Sequence, residues 1–186
     1  MMNIQIDVTN TEIETRRLLL RSWQESDLDD FFAYASVDGV GEMAGWKHHE
    51  SITETKNILH SFISDKNVFA LELKATKKVI GSLGLHYSWA NNDKDFADLR
   101  VKEIGYVLSK AYWGQGLMPE AVSAVIDWCF NELCLDALTV GHFVDNTQSK
   151  RVIEKNGFVY VTQGTYVAKG LGKTFVENKY ILFNYR

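Results

Sequence analysis

A mixed α/β fold is predicted for this 186-residue chain on three observations. Short β-branched and aromatic runs alternate with helical periodicities along the whole sequence. The longest amphipathic stretch begins directly behind a turn carrying two glycines, and the C-terminal tail holds two further strand-like runs around a glycine-containing turn. No internal repeat or low-complexity segment interrupts this order.

Taken in sequence, Thr15–Arg21 reads as a first strand and Ser26–Tyr34 as a helix with acidic residues in its first turn. The loop Gly39–Glu50 carries Trp46, Lys47, His48 and His49. Ser51-Ile52-Thr53-Glu54 then fits a capping box opening a helix with Ile58, Leu59, Phe62 and Ile63 on one side. Val68–Leu73 and Val79–Tyr87 flank a polar connection of hairpin length. Ser88–Lys102 is polar and aperiodic apart from Trp89, Phe96 and Leu99, and reads as a mobile loop.

Glu103–Leu108 is the next strand. The helix after the glycines places Ala121, Val122, Val125, Ile126, Cys129, Phe130 and Leu133 at helical spacing, enough to cover one face of a sheet. Leu138–Phe143 follows as a strand and Thr147–Lys155 as a short helix stopped by Asn156-Gly157. Gly172-Lys173-Thr174 ends like a nucleotide-binding loop. Val167 stands where its first glycine is required, and a strand follows instead of a helix, so the segment reads as a hairpin turn.

At 186 residues the chain suits a single domain over residues 1–186, with a core that buries roughly two thirds of the unfolded surface. A hydrophobic fraction of 46% and a charged fraction of 24% describe a globular protein, with no apolar stretch of membrane-spanning length. The first residues have neither a basic end nor an apolar signal core, which points to the cytoplasm. Net charge −4 and a pI near 5.7 argue against nucleic acid as a partner and mildly favour an amine or basic peptide. Cys129 and Cys134 fall on one predicted helix at no metal-binding spacing and read as reduced thiols; no metal is expected.

The chemistry concentrates in Glu103-Ile104-Gly105-Tyr106-Val107-Leu108 and Tyr112-Trp113-Gly114-Gln115-Gly116-Leu117-Met118-Pro119. A strand, a glycine turn and a helix start in succession aim unpaired N–H groups and a partial positive charge at one point, where a pyrophosphate fits. Alone, such a turn equally often just closes a tight connection. Downstream, however, stands Asn146-x-x-Ser149-x-x-Val152-Ile153-Glu154-Lys155-Asn156-Gly157-Phe158.

Together the two motifs resemble the GCN5-related N-acetyltransferase (GNAT) superfamily, in particular its bacterial ribosomal-protein N-terminal (alanine/serine) acetyltransferases. The resemblance implies a mostly antiparallel sheet, flanked by helices, that splays open beside Glu103–Leu108. Acetyl-CoA would lie in the splay on the backbone of Ile104, Gly105 and Tyr106. Its pyrophosphate would sit on Trp113, Gly114, Gln115, Gly116, Leu117 and Met118, and Asn146 would hold the pantetheine amide. The chain departs from the family pattern at Ala111, where a glutamine or arginine is usual, and at Ile153, where many relatives carry a tyrosine that protonates the leaving thiolate. Ser149 is the resemblance's substitute for that acid.

An amine acceptor is mostly protonated at neutral pH, so a base must act, and Glu103 at the strand start is the candidate. Each assignment has a bland counterpart: Glu103 as a solvated carboxylate, Ser149 as a surface hydroxyl, Asn146 as a helix N-cap. His86 and His142 on strands read as packed histidines. Trp46, His48, His49 and Trp89 are either acceptor-pocket or packing residues, and Lys150 and Arg151 either meet the adenosine 3′-phosphate or are solvated. The acceptor implied is a protein N-terminus, with a small amine or a silent acyl-CoA-binding module as alternatives, in a monomer or homodimer.

Overall fold

The computed structural model describes residues 4–96 and 98–185. Its elements run β1 (Ile13–Glu14), β2 (Leu18–Ser22), α1 (Leu28–Ala35), α2 (Ile52–Asp65), β3 (Val68–Leu73), β4 (Lys78–His86), β5 (Val101–Leu108), α3 (Leu117–Asn131), β6 (Ala137–Phe143), α4 (Thr147–Lys155), β7 (Val159–Ala168) and β8 (Lys173–Phe183). The eight strands form one sheet in the order β1-β2-β3-β4-β5-β6-β8-β7. All neighbours are antiparallel except β5 and β6.

That parallel pair is short. It runs from Val101 opposite Ala137 to Ile104 opposite Val140 and stops. Beyond it, β5 continues against β4 as far as Leu108 opposite Gly81, and β6 continues against β8 as far as Phe143 opposite Glu177. The two strands therefore part at Gly105 and Gly141, and their facing edges lose each other as hydrogen-bond partners, which exposed backbone groups must recover elsewhere. This is the splay expected beside Glu103.

Alternation along the strands sorts side chains to two faces. Leu83 and Leu85 of β4, Ile104 of β5 and Leu138 and Val140 of β6 are buried on one face, against Ala121, Val122, Val125 and Cys129 of α3 and Ile153 of α4. Leu138 has no exposed surface, and its truncation to alanine would cost about 2–5 kcal/mol. On the other face, Val68 and Ala70 of β3 pack with Phe31, Tyr34 and Ala35 of α1 and Leu59 of α2. Arg21 reaches from β2 to Asp27 before α1 (2.8 Å) and to Glu72 of β3 (2.9 Å), which fixes how α1 enters that layer.

Four expectations are refined. The first strand begins at Leu18, and Ile13–Glu14 pairs beside it. Ser51 caps α2 by accepting from Glu54 N, but the Glu54 carboxylate accepts from Glu50 N, one residue before the position a capping box uses. Cys134 lies beyond the end of α3 in a left-handed conformation (φ 50°) and is exposed, whereas Cys129 is buried in the helix. Finally, the stretch expected as a mobile loop is packed in its described part. Trp89–Asn92 forms a 3-10 turn, and Trp89, Phe96 and Leu99 pack on Ala90, Val101, Ala137 and Ile181. Those three apolar residues were anchors without a period.

The Gly172-Lys173-Thr174 segment is a turn, with Gly172 left-handed (φ 60°) and β8 starting at Lys173. No helix among the described residues is long and apolar enough to cross a membrane.

Candidate active site

The cleft that opens where β5 and β6 part encloses about 1200 Å³ and is lined by both sheet edges, the glycine turn, the start of α4 and the loop after α1. At one end, Gly114 and Gly116 both hold positive φ (76° and 75°), and Gly116 is the N-cap of the 15-residue α3. Gly114 lines the cleft, and a side chain there would meet nothing within 4 Å. Leu117 and Met118 bury their side chains in the core, and the first backbone N–H groups of α3 have no intrahelical partner. The Trp113 indole donates to Leu108 O (2.8 Å) and ties the turn to the end of β5.

Arg17, just before β2, supplies a cation to this turn. Its guanidinium donates to Gln115 O (2.9 Å) and to Glu120 in the first turn of α3 (2.8 Å), while Glu120 also accepts from Thr15 Oγ1 (2.6 Å). A Cβ on Gly116 would lie 3.7 Å from Arg17 Nη2. Ala111 itself contributes its carbonyl, which accepts from Gln115 Nε2.

At the parting of the strands, Glu103 is half-buried on β5 two residues after the strand begins. Its Oε2 accepts from Thr139 Oγ1 of β6 (3.2 Å) and from Trp89 N (3.4 Å). Ser88 Oγ backs Thr139 at 2.7 Å. Burial pushes the Glu103 carboxyl above the ordinary carboxylate range and the Glu177 carboxylate pushes the same way, against the Trp89 and Thr139 donors and Lys179. His86, opposite Glu103 in register, spreads its ring over Gly84 and Gly105. The ring is open to the cleft yet hemmed in by its walls, and that desolvation, helped by Lys102, lowers its pKa and keeps it neutral.

Ser149 of α4 is buried and faces the cleft, with its Oγ 2.7 Å from the Tyr106 hydroxyl of β5. Asn146 is the N-cap of α4: its Oδ1 accepts from Ser149 N (3.0 Å), and its Nδ2 donates to Met43 O (3.2 Å) in the loop after α1. Gly45 of that loop lies against Tyr166 and Phe143, so the loop reaches across to the β6–β7 side of the cleft.

Of the loop residues, Trp46 and His49 line the cleft, and both also pack: their rings are 5.0 Å apart, and buried His49 bonds Thr55 Oγ1 (2.8 Å). His48 bonds Glu42 (2.9 Å), and Trp89 stands edge-on to Phe96. Among the described residues one trio, Asp38, Glu42 and His48, brings possible metal-ligand atoms within 4.8 Å. Burial would push the Glu42 carboxyl up, but donors from His48, its own backbone and Gly39 hold it down at about 2. It already serves as the loop's staple. His142 is a packed histidine: Nδ1 donates to Phe143 O (2.7 Å), and Nε2 lies 3.1 Å from the Tyr180 hydroxyl. Lys150 pairs with Glu154, and Arg151 is exposed at the cleft.

Two residues and one side-chain role were missed by sequence reasoning. Arg17, Glu177 and the Tyr106 hydroxyl reach the site through strand register and side-chain direction, for which a single sequence carries no local signal.

The family model for the acetyltransferase (GNAT) domain matches residues 17–159. YoaA of Bacillus subtilis (strain 168), described as an uncharacterized N-acetyltransferase, is 30% identical over 151 residues, covering 78% of this chain and 81% of its own. Among solved structures, the ribosomal-protein-S5-alanine acetyltransferase of Vibrio fischeri superposes with a TM-score of 0.72 at 20% identity, covering 95% of this chain and 98% of that one. The spermidine N-acetyltransferase of Vibrio cholerae, in complex with CoA and spermine, also gives 0.72, at 18% identity over 91% and 96%. A match over most of the length, on a sheet that forks beside a glycine turn, means that this chain belongs to the GNAT superfamily of N-acetyltransferases.

Proposed function

We propose that this enzyme transfers acetyl from acetyl-CoA directly to a protein N-terminal α-amine within a ternary complex. The observation that carries the reading is Glu103: a carboxylate of raised pKa, hydrogen-bonded at the point where β5 and β6 separate. The residues around it suit the donor. The edge of Ile104, Gly105 and Tyr106 freed by the fork fits the pantetheine arm. The turn Trp113, Gly114, Gln115, Gly116, Leu117 and Met118, with Arg17 behind it, fits the pyrophosphate. Asn146 would reach the pantetheine amide by exchanging its Met43 contact.

In the step itself, the amine nitrogen forms a bond to the thioester carbonyl carbon while Glu103 takes its proton. Backbone N–H groups on the edge of β5 that faces the fork steady the developing oxyanion. The carbon–sulfur bond then breaks, and Ser149 donates its proton to the sulfur and regains one from solvent in the cleft, to which Glu103 returns the proton it took. An α-amine, with a reference pKa near ~8, matches a carboxylate base better than a lysine amine near ~10.4. The cleft also exceeds the roughly 300–1,000 Å³ usual for one small ligand, as two substrates require. The free thiols Cys129 and Cys134 suit a reducing, cytoplasmic setting.

A small polycationic amine is the second reading, favoured by the presence of two carboxylates, Glu103 and Glu177, in one cleft. The fold does not choose between them, since neighbours of both kinds superpose equally well. Labelled acetyl-CoA offered with N-terminal peptides, spermidine and free amino acids tests the proposal. Transfer to peptides supports it, transfer to small amines alone moves the acceptor, and tight acetyl-CoA binding without transfer to anything leaves only a binding module.

A further inference from the structure

Glu177 raises the Glu103 pKa and lines the same cleft, but no step so far has used it. It lies on β8, opposite Phe143 of β6 on one side and Gly164 of β7 on the other. Its side chain does not stay on its own rung. It folds over Gly141, where an added Cβ would collide with the Glu177 carboxyl group and come within 3.2 Å of its Cγ. Gly141 is two residues beyond Thr139, on the same face of β6, and Thr139 holds Glu103. Gly84 and Gly105 are likewise bare on this face, and their missing side chains leave room for the His86 ring. Two carboxylates thus look into one glycine-floored chamber.

Lys179 of β8 is the cation facing them; its Nζ is 3.9 Å from Glu177 and also lies 5.7 Å from the centre of the Trp89 ring. His86 of β4 stays neutral, and His142 of β6 is held between Phe143 O and Tyr180. Lys102 neighbours Glu103 on β5, and burial lowers its pKa. Desolvation holds Glu177 itself above the ordinary carboxylate range, against Lys179 and His142. Two desolvated carboxylates repelling each other are an unfavourable arrangement that a cation placed between them relieves.

We propose that Glu177 is the specificity-determining carboxylate that receives the acceptor as an ammonium ion and presents its nitrogen to Glu103, so that the enzyme selects acceptors arriving as cations. This rests on the transferase reading above and adds the division of labour: Glu177 binds charge, while Glu103 takes one ammonium proton to free the lone pair, passes it to solvent, and takes the second as the carbon–nitrogen bond forms.

The test is Glu177→Gln, an isosteric change, with a peptide bearing an N-terminal alanine and with spermidine as acceptor probes. KM for the accepted amine should rise about 10- to 100-fold, the range expected for losing one charge-assisted contact. The kcat should move far less, and acetyl-CoA affinity should stay at the wild-type value. Because a repelling neighbour is gone, the acidic limb of the pH profile should also move to lower pH, a shift that a purely structural role would not produce. Gly141→Ala, which displaces the Glu177 carboxyl without removing it, should raise the same KM and serves if the glutamine variant does not fold. An unchanged acceptor KM with an unmoved acidic limb overturns the inference while leaving the transferase reading intact. A wild type that binds acetyl-CoA but acetylates neither probe overturns both.

Discussion

The hydroxyl of Tyr106 lies 2.7 Å from the Oγ of Ser149, joining the strand on one side of the cleft to the helix on the other. Burial pushes the Tyr106 phenol up, so it keeps its proton throughout the physiological range. The same hydroxyl donates to Ser149 O (3.3 Å), so it grips the serine at both its backbone and its side chain. Tyr106 thereby positions the group proposed as the acid.

Two substitutions separate the acid from its support. Ser149→Ala should lower kcat by at least about 10²-fold, the lower bound for a general acid, and Tyr106→Phe by about ten-fold, since it removes only the orienting bond. The double variant should be no slower than Ser149→Ala, because the two act as one unit. Single-turnover rates with acetyl-CoA affinity measured alongside check this, and additive losses would break the link.

Glu103 predicts opposite effects on rate and stability. As the base it works only when ionised, so kcat/KM should fall as pH drops through its raised pKa, at a higher pH than an ordinary carboxylate would give. For stability the sign reverses. A folded-state pKa above the unfolded value contributes stability below the unfolded pKa that is lost as pH rises through the folded one. Glu103→Gln should therefore raise the melting temperature at pH 7, with the gain shrinking towards pH 4, while turnover collapses. Melting curves over that range, compared with the wild type, decide it; a variant that melts lower at pH 7 contradicts the argument.

The glycine turn predicts a loss of binding without loss of fold. Gly114 holds φ 76° with open space around its missing Cβ, so Gly114→Ala should cost only the strain of a left-handed backbone, about 1–2 kcal/mol. Its methyl group would nonetheless sit on the turn proposed for the pyrophosphate and limit how closely the backbone can be approached. Calorimetric titration should show acetyl-CoA affinity reduced at least about ten-fold, equivalent to ~1.4 kcal/mol. Wild-type affinity would take the turn out of the site.

Arg17 predicts a salt signature. Its pair with Glu120 is partly exposed and contributes roughly 0–1 kcal/mol to stability, so Arg17→Ala should fold. If its guanidinium supports the anion on the turn, the variant should bind acetyl-CoA more weakly and with a shallower dependence on ionic strength. Lysine should not restore it, because the forked donation to Gln115 O and Glu120 requires the planar group. Titrations at two salt concentrations give the answer, and parallel salt slopes would reduce Arg17 to a staple.

How much of this was legible depends on distance along the chain. The strand, turn and helix around Gly114 and Gly116 were readable because one continuous segment builds them, and α3 announced itself by its period. The N-cap role of Asn146 was readable for the same local reason. Glu177 and Arg17 were not, since a carboxylate in a C-terminal hairpin strand looks solvated until the register sets it over Gly141. The stretch around Trp89 misled in another way. Its apolar residues pack from an irregular backbone, and a search for period finds only regular elements.

The fork between β5 and β6 leaves the two halves of the sheet stitched by four rungs where a closed sheet would have more. A ligand laid along that fork completes backbone pairing that the polypeptide leaves unfinished, and so behaves as part of the architecture. Whatever binds only the folded chain stabilises it by mass action, about 2.7 kcal/mol at a hundredfold excess over Kd. The durability of the protein would then follow the metabolic supply of its own donor, and a shortage of acetyl groups would show first as a softer sheet and faster amide exchange at Tyr106 and Leu108, on the fork-facing edge of β5.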